Sequence, residues 1–302
     1  MLIRKTGLSP AARAFFNITD DPFAPPETLQ QVFMGPGLRV AYEHMLVKAK
    51  HGGFIAIVGE SGSGKTTLKE TLIEAMAETS TVTVMEPMVV GMEQKGKGTS
   101  LNAAHIAEAM LRELAPLQSI KRSAEARLNQ LRDTLAAARA ADRNARHLLV
   151  IEEAHRMPLP TLRYMKNFME LTPRNSRQRL LSIILLGQPE LAQRLSSFDM
   201  DVREVWQRCE LAQLGPLDQR TVGDYLKHRL GRAASAFAPD GIDALHRVLS
   251  AADGRSFAYP LAVDNWAAAC LNEAAGIGAK SIGAEIVAET KNNLERQKKA
   301  GW

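Results

Sequence analysis

The sequence predicts an α/β fold: a parallel five-stranded sheet sandwiched by helices, followed by a small all-helical domain. Three observations predict it. Short apolar runs alternate with helix-length amphipathic patterns through much of the 302 residues. In "IVGESGSGKTTL", residues 57–68, three glycines bend the chain between such a run and a helix start. Beyond "GPLD", residues 215–218, no further strand-like run appears.

Taken in order, the N-terminal segment is short and basic, and "DPFAPPETLQQVF" is proline-rich, so it reads as extended or turned. "GLRVAYEHMLVKAKHG" has the spacing of an amphipathic helix stopped by Gly52 and Gly53. "FIAIV" is a buried strand, residues 65–78 a helix, and "TVTVMEP" alternates like a second strand. The glycine-punctuated "VGMEQKGKGTS" reads as a loop, followed by a helix from Leu101 to Leu114. A long helix from Ser119 to Ala141 is expected from Ile120, Ala124, Leu128, Leu131, Leu135 and Ala138 at spacings of three and four. "HLLVI" is a third strand, "PTLRYMKNFMEL" a helix, "RLLSIILLG" a fourth strand and "CELAQL" a fifth. Strands apolar throughout imply a parallel sheet covered on both faces. Helical patterns follow near 218–231, 239–251, 259–275 and 281–297. The expected organisation is an N-terminal extension with its helix over 1–53, an α/β nucleotide-binding domain over 54–217, and a helical domain with a basic tail over 218–302.

A hydrophobic content of 45% with 24% charged residues is that of a globular protein, not a disordered one. Apolar runs are too short to cross a bilayer, and Arg4 and Lys5 have no apolar stretch behind them, so neither a membrane span nor a secretory signal is expected. Cys209 and Cys270 read as reduced packing residues, and the expected location is the cytoplasm. The net charge of +5 is concentrated: residues 91–146 hold ten Lys/Arg against six Asp/Glu. Such an excess suits nucleic acid, but it also suits an ordinary solvated helix face.

Gly59-Glu60-Ser61-Gly62-Ser63-Gly64-Lys65-Thr66 matches G-x-x-x-x-G-K-[ST], with Thr67 next in the helix start. The glycines let successive backbone N–H groups turn inward on an anion, and the helix start adds its positive dipole end. Lys65 would reach β- and γ-phosphate oxygens of ATP, and the Thr66 hydroxyl would ligate Mg²⁺. In "HLLVIEEAH", residues 147–155, Glu152 is placed to hold Mg²⁺ and Glu153 to orient and deprotonate an attacking water. Two adjacent acids at a helix start are the plainer reading of the same pair. Gln188 follows a buried strand in "LLSIILLGQPEL" and would lie near the γ-phosphate, or serve as a turn residue.

On "FFNITDDPF", "GESGSGKTTL", "LLVIEEAHRM", "LLGQPELAQRL" and "VWQRCELAQLGPLD", in that order from residue 15 to about 230, the chain resembles the AAA+ ATPases. More narrowly it resembles the ExeA-like branch, which is similar to the transposition target-selection ATPases MuB and TnsC. The resemblance implies a P-loop sheet with a helical lid and neighbouring subunits completing each site. Lys65 and Thr66 fall on Walker A, Glu152 and Glu153 on Walker B, and Gln188 on sensor 1. Arg208 falls on the arginine finger, with Arg203 in reserve; a surface ion pair is the alternative. Walker B usually begins with Asp, so Glu152 is one methylene longer. If Tyr259-Pro260 matches the sensor-2 region, Leu261 stands where an arginine is usual, and Arg255 is not assigned in its place.

The resemblance and the charge together favour an ATP-dependent, sequence-nonspecific protein that assembles on double-stranded DNA as a ring or filament and recruits or activates a transposase. It would act in the bacterial cytoplasm. Lys95 and Lys97 on the glycine loop, with Lys121 and Arg122 opening the long helix, are the candidate phosphate contacts. A secretion accessory of the ExeA kind is a second expectation; such proteins continue into a membrane span and a cell-wall-binding domain, and this chain ends at Trp302 with neither. A helicase-loader-type scaffold working through protein contacts is the third.

Overall fold

The computed structural model describes residues 3–79, 81–87, 101–174, 176–196 and 200–299. Two compact units emerge: residues 37–61 with 65–214, and residues 1–36 with 62–64 and 215–302.

The first unit is built on strands β1 (Phe54–Gly59), β2 (Val82–Met85), β3 (Arg146–Ile151), β4 (Ser182–Gly187) and β5 (Glu210–Leu214). They form one sheet in the order β2-β3-β4-β1-β5, and every pairing is parallel. Burial on both faces explains the unbroken apolar runs within β1, β3 and β4. Phe54, Ala56, Val58, Leu149, Ile151, Ile183 and Leu185 turn to one face. Ile55, Ile57, Leu148, Val150, Ile184 and Leu186 turn to the other. In this register Val58 lies opposite Gly187 and Ile151 opposite Leu185, so the three strands end within a few residues of one another. Residues that follow β1, β3 and β4 therefore leave three adjacent strands at one edge. That edge is where ligands bind in open parallel sheets.

The helices of this region are α2 (Pro36–His51), α3 (Lys65–Thr79), α4 (Ala103–Leu114), α5 (Ala124–Ala141), α6 (Leu159–Met169), α7 (Pro189–Leu195) and α8 (Met200–Trp206), numbered after α1 (Pro10–Phe15) of the second unit. The long helix starts at Ala124, not at Ser119. Ser123 is extended and its side chain accepts a hydrogen bond from the Ala126 N–H, a cap that stops helix geometry from propagating backwards. Lys121 and Arg122 thus lie ahead of the helix rather than opening it.

The second unit holds α1 with α9 (Gln219–Leu230), α10 (Pro239–Val248), α11 (Pro260–Ile277) and α12 (Ala284–Lys299). Fully buried Trp266 and Leu245 share its core with Leu8 and Ala12 from the N-terminal segment. That segment is tied down by side-chain bonds. Ser9 N–H donates to Asn272 Oδ1 (2.8 Å), and Asn272 Nδ2 donates to the Gly7 carbonyl (3.1 Å). Cys270 is fully buried, which pushes its thiol up to about 12. Among the described residues no helix is long and apolar enough to cross a membrane.

Candidate nucleotide site

Strand β1 ends at Gly59, and α3 begins at Lys65, so the glycine bend is the link between them. Gly62 (φ 78°) and Gly64 (φ 96°) occupy left-handed backbone that a side chain disfavours. Gly62 also has a steric reason to be glycine: a Cβ there would lie 2.5 Å from Leu261 Cβ, and its carbonyl accepts from the Leu261 N–H at 3.3 Å. Leu261 packs on Gly62 through carbon atoms. Ser63 Oγ is buried and makes no hydrogen bond.

The Lys65 amine folds back to donate to the carbonyls of Gly59 (2.6 Å) and Glu60 (2.9 Å). Burial lowers its pKa; Glu153, Glu60 and Glu152 oppose that shift by favouring the charge. Thr66 Oγ1 donates to Glu152 Oε1 at 3.1 Å, joining the first turn of α3 to the end of β3. The second Glu152 oxygen lies 3.2 Å from Lys69 Nζ, which also pairs with Glu86 at 2.9 Å. Lys69 is one turn beyond Lys65, so the sequence placed both amines on one helix face; only folding shows which carboxylates they meet. A hydroxyl and a carboxylate in direct contact form a hard-oxygen set of the kind Mg²⁺ takes alongside phosphate oxygens, so the residues present fit that ion.

Among the described residues Glu153 is one of two non-glycine residues with positive φ, at 50°. A left-handed conformation in a residue with a long side chain costs about 1–2 kcal/mol, and such strain is typical of functional positions. Its carboxylate lies 3.3 Å from Arg156 Nε and 3.8 Å from His155 Nε2. Gln188, half-buried at the start of α7, donates its backbone N–H to His155 Nδ1 at 3.3 Å. Arg194 on α7 donates to the carbonyls of His155 and, at 2.6 Å, of Met157. The turn after β3 is thereby fastened to the helix after β4.

The structure thus brings Lys65, Thr66 and Glu152 together, and links Glu153 to Gln188 through His155. Thr67 sits half-buried on α3, beside this group in sequence. Arg208 is elsewhere: it donates to the Glu204 carbonyl (3.1 Å) and lies 3.8 Å from a Glu170 oxygen. Arg203 is exposed on α8. Lys121 and Arg122 are exposed, and their carbonyls accept from Arg127. Lys95 and Lys97 lie outside the described residues. Sequence reasoning missed Lys69, Glu86, His155 and Arg194. Of these, His155 carried a signal, since it stands two residues past Glu153 in the quoted run "HLLVIEEAH".

A five-stranded parallel sheet of this order, flanked by helices and carrying a glycine–lysine–threonine bend after β1, is the P-loop AAA fold. Residues 47–195 match the family model described as AAA domain. Among curated proteins the chain is similar to general secretion pathway protein A of Aeromonas hydrophila, 27% identical over 243 residues. The match takes in 78% of this chain and 41% of that relative, so the chain spans about two fifths of the relative's length. Among solved structures it is similar in fold to the ORC2 protein of Aeropyrum pernix in ADPNP–ADP complexes (TM-score 0.58, 17% identity, 96% of this chain and 73% of that one). It is similar also to Cdc6p of Pyrobaculum aerophilum (TM-score 0.56, 16% identity, 96% and 72%).

Proposed function

We propose that the chain is an ATPase that binds Mg·ATP in the glycine bend, hydrolyses it, and uses it to gate assembly of several copies on double-stranded DNA, where the assembly recruits or activates a transposase. The observation that carries the nucleotide chemistry is the Thr66–Glu152 hydrogen bond at the carboxyl edge of the sheet, with Lys65 next to Thr66 on α3 and its charge favoured by Glu152. Lys65 neutralises phosphate oxygens once it leaves the carbonyls it now caps, and the bend's N–H groups bind the rest. Mg²⁺ held by Thr66 and Glu152 would neutralise charge developing on the phosphates. Glu153 accepts the proton of the attacking water, and Gln188 orients the γ-phosphate side. Arg208, bonded only through Glu204 and Glu170 within this chain's described geometry, is offered to a neighbouring copy's nucleotide. Loss of the γ-phosphate contacts would loosen the assembly.

The DNA part rests on the charge excess of residues 91–146 and on the exposed side chains of Lys121 and Arg122. Contacts of that kind hold phosphates without reading bases. The similarity to a general secretion pathway protein favours a second reading, an accessory ATPase of secretion acting through protein contacts.

ATP turnover measured with and without duplex DNA across a salt series separates the two. Stimulation that falls as salt rises supports assembly on DNA; turnover indifferent to duplex overturns it and leaves the protein-contact reading. Lys65→Ala is expected to abolish nucleotide binding. Glu153→Gln is expected to keep binding while turnover drops about a hundredfold or more. Arg208→Ala should retain nucleotide in the monomer and lose cooperative turnover.

A further inference from the structure

We infer that His155 is a positioning residue, which aims the Glu153 carboxylate and ties its orientation to the Gln188 backbone at the end of β4. The inference rests on the proposed role of Glu153 as the base. The Gln188 N–H points at His155 Nδ1 at 3.3 Å, so that nitrogen must offer a lone pair. The single ring proton of the neutral imidazole then sits on Nε2, the atom 3.8 Å from Glu153 Oε2. A ring proton fixed on that side attracts the carboxylate and competes for it with Arg156, its other partner.

The ring is well placed to do this. Its side chain is only 12% exposed, and the Arg194 guanidinium grips the His155 carbonyl from α7. Burial lowers the His155 pKa, which keeps the ring neutral. Around it, Glu153 and Glu190 favour the charged ring, whereas Arg156 and Lys65 oppose it. Glu153 is held in left-handed backbone beside this ring, so its side chain cannot relax by shifting the main chain without giving up that geometry. A move of the Gln188 backbone would pull on the imidazole, and through it on Glu153. One rigid ring thus connects the ends of two adjacent strands.

Two substitutions divide the roles of the two ring nitrogens. Asparagine reproduces the Nδ1 acceptor toward the Gln188 N–H; glutamine reproduces the Nε2 donor toward Glu153. At saturating ATP, His155→Ala is expected to lower kcat about tenfold to a hundredfold, the usual cost of losing a group that orients a reacting one. His155→Gln should recover most of that loss, and His155→Asn should stay with the alanine variant. Binding of a fluorescent ADP analogue and the thermal midpoint should be alike in all three. If Asn restores kcat and Gln does not, His155 merely caps the Gln188 N–H and the inference falls. It falls too if neither variant changes kcat.

A second measurement stands apart from turnover. In the ¹⁵N-histidine spectrum of the full chain, with His155 assigned from its absence in His155→Asn, Nδ1 should be unprotonated and Nε2 protonated. Glu153→Gln should shift the Nε2 resonance. A proton on Nδ1, or an Nε2 signal unmoved by Glu153→Gln, overturns the inference. Failure of the parent protein to bind the ADP analogue would sink the proposed ATPase and leave this spectroscopic test standing.

Discussion

Thr66 and Glu152, 86 residues apart in sequence, share a hydrogen bond of 3.1 Å between Oγ1 and Oε1. The same carboxylate gives its other oxygen to Lys69. Its two oxygens thus span a hydroxyl and an amine, both from α3.

Lys69 is therefore expected to compete with a metal for Glu152. It is 13% exposed and its amine is shared between Glu152 and Glu86, which lower the cost of burying the charge and raise its pKa against desolvation. Lys69→Met removes one positive charge from the metal's surroundings. The Mg²⁺ concentration for half-maximal ATP binding should fall severalfold, about 1 kcal/mol for one screened charge pair. Titration with a fluorescent ATP analogue reads this directly, and an unchanged Mg²⁺ midpoint would show that Lys69 does not act on Glu152.

Asp264 predicts a pH effect on stability. It lies buried in the second unit, accepting from the Tyr225 hydroxyl at 2.8 Å and from Arg229 Nη2 at 3.4 Å. Burial outweighs both partners and holds its carboxyl up at about 6, above the ordinary 3.8. With the folded value raised, the folded state gains where the acid is neutral: the contribution is complete below 3.8 and is lost as pH rises through 6. Relative to Asp264→Asn, the parent should gain on the order of 2 kcal/mol between pH 7 and pH 4. Urea midpoints of both proteins across that range test it; a flat difference would mean that Asp264 is ionised in the fold throughout.

Two helical glycines should respond to alanine with opposite signs. Gly241 lies in α10, and a Cβ there would sit 2.0 Å from the Ile282 carbonyl oxygen. That carbonyl also accepts from the Ala238 N–H at 3.1 Å, so it cannot retreat without breaking a bond. Gly241→Ala should cost about 2–3 kcal/mol. Gly276, in the last turn of α11, faces open space, and Gly276→Ala should add about 0.5 kcal/mol by helix propensity and reduced freedom of the unfolded chain. Urea unfolding of the two variants beside the parent checks both signs.

Much of this molecule was legible in its residues. The strands were visible because each is short, apolar or alternating, and bounded by glycine, proline or charge, and the bend because its glycines and lysine keep a fixed spacing. Less legible were the short helices α1, α7 and α8, whose six or seven residues are too few to show a period. Their starting prolines, Pro10 and Pro189, were the available sign for two of them. The start of α5 was misplaced because Ile120 fits the helical spacing, although Ser123 caps the helix after it. Periodicity reports which side chains are buried; a cap is decided by one backbone conformation.

By itself the sequence determined the parallel sheet, the glycine bend and the identity of the residues at its edge. These depend on local pattern: burial on both faces of a strand, and backbone freedom at fixed positions. Tertiary structure alone decided that Glu152 meets both Thr66 and Lys69, that His155 stands between Gln188 and Glu153, and that Leu261 covers Gly62. Those pairings join residues from different strands and helices. Their distances are set by the strand order and register of the sheet and by packing in the helical unit, which no local stretch of chain encodes.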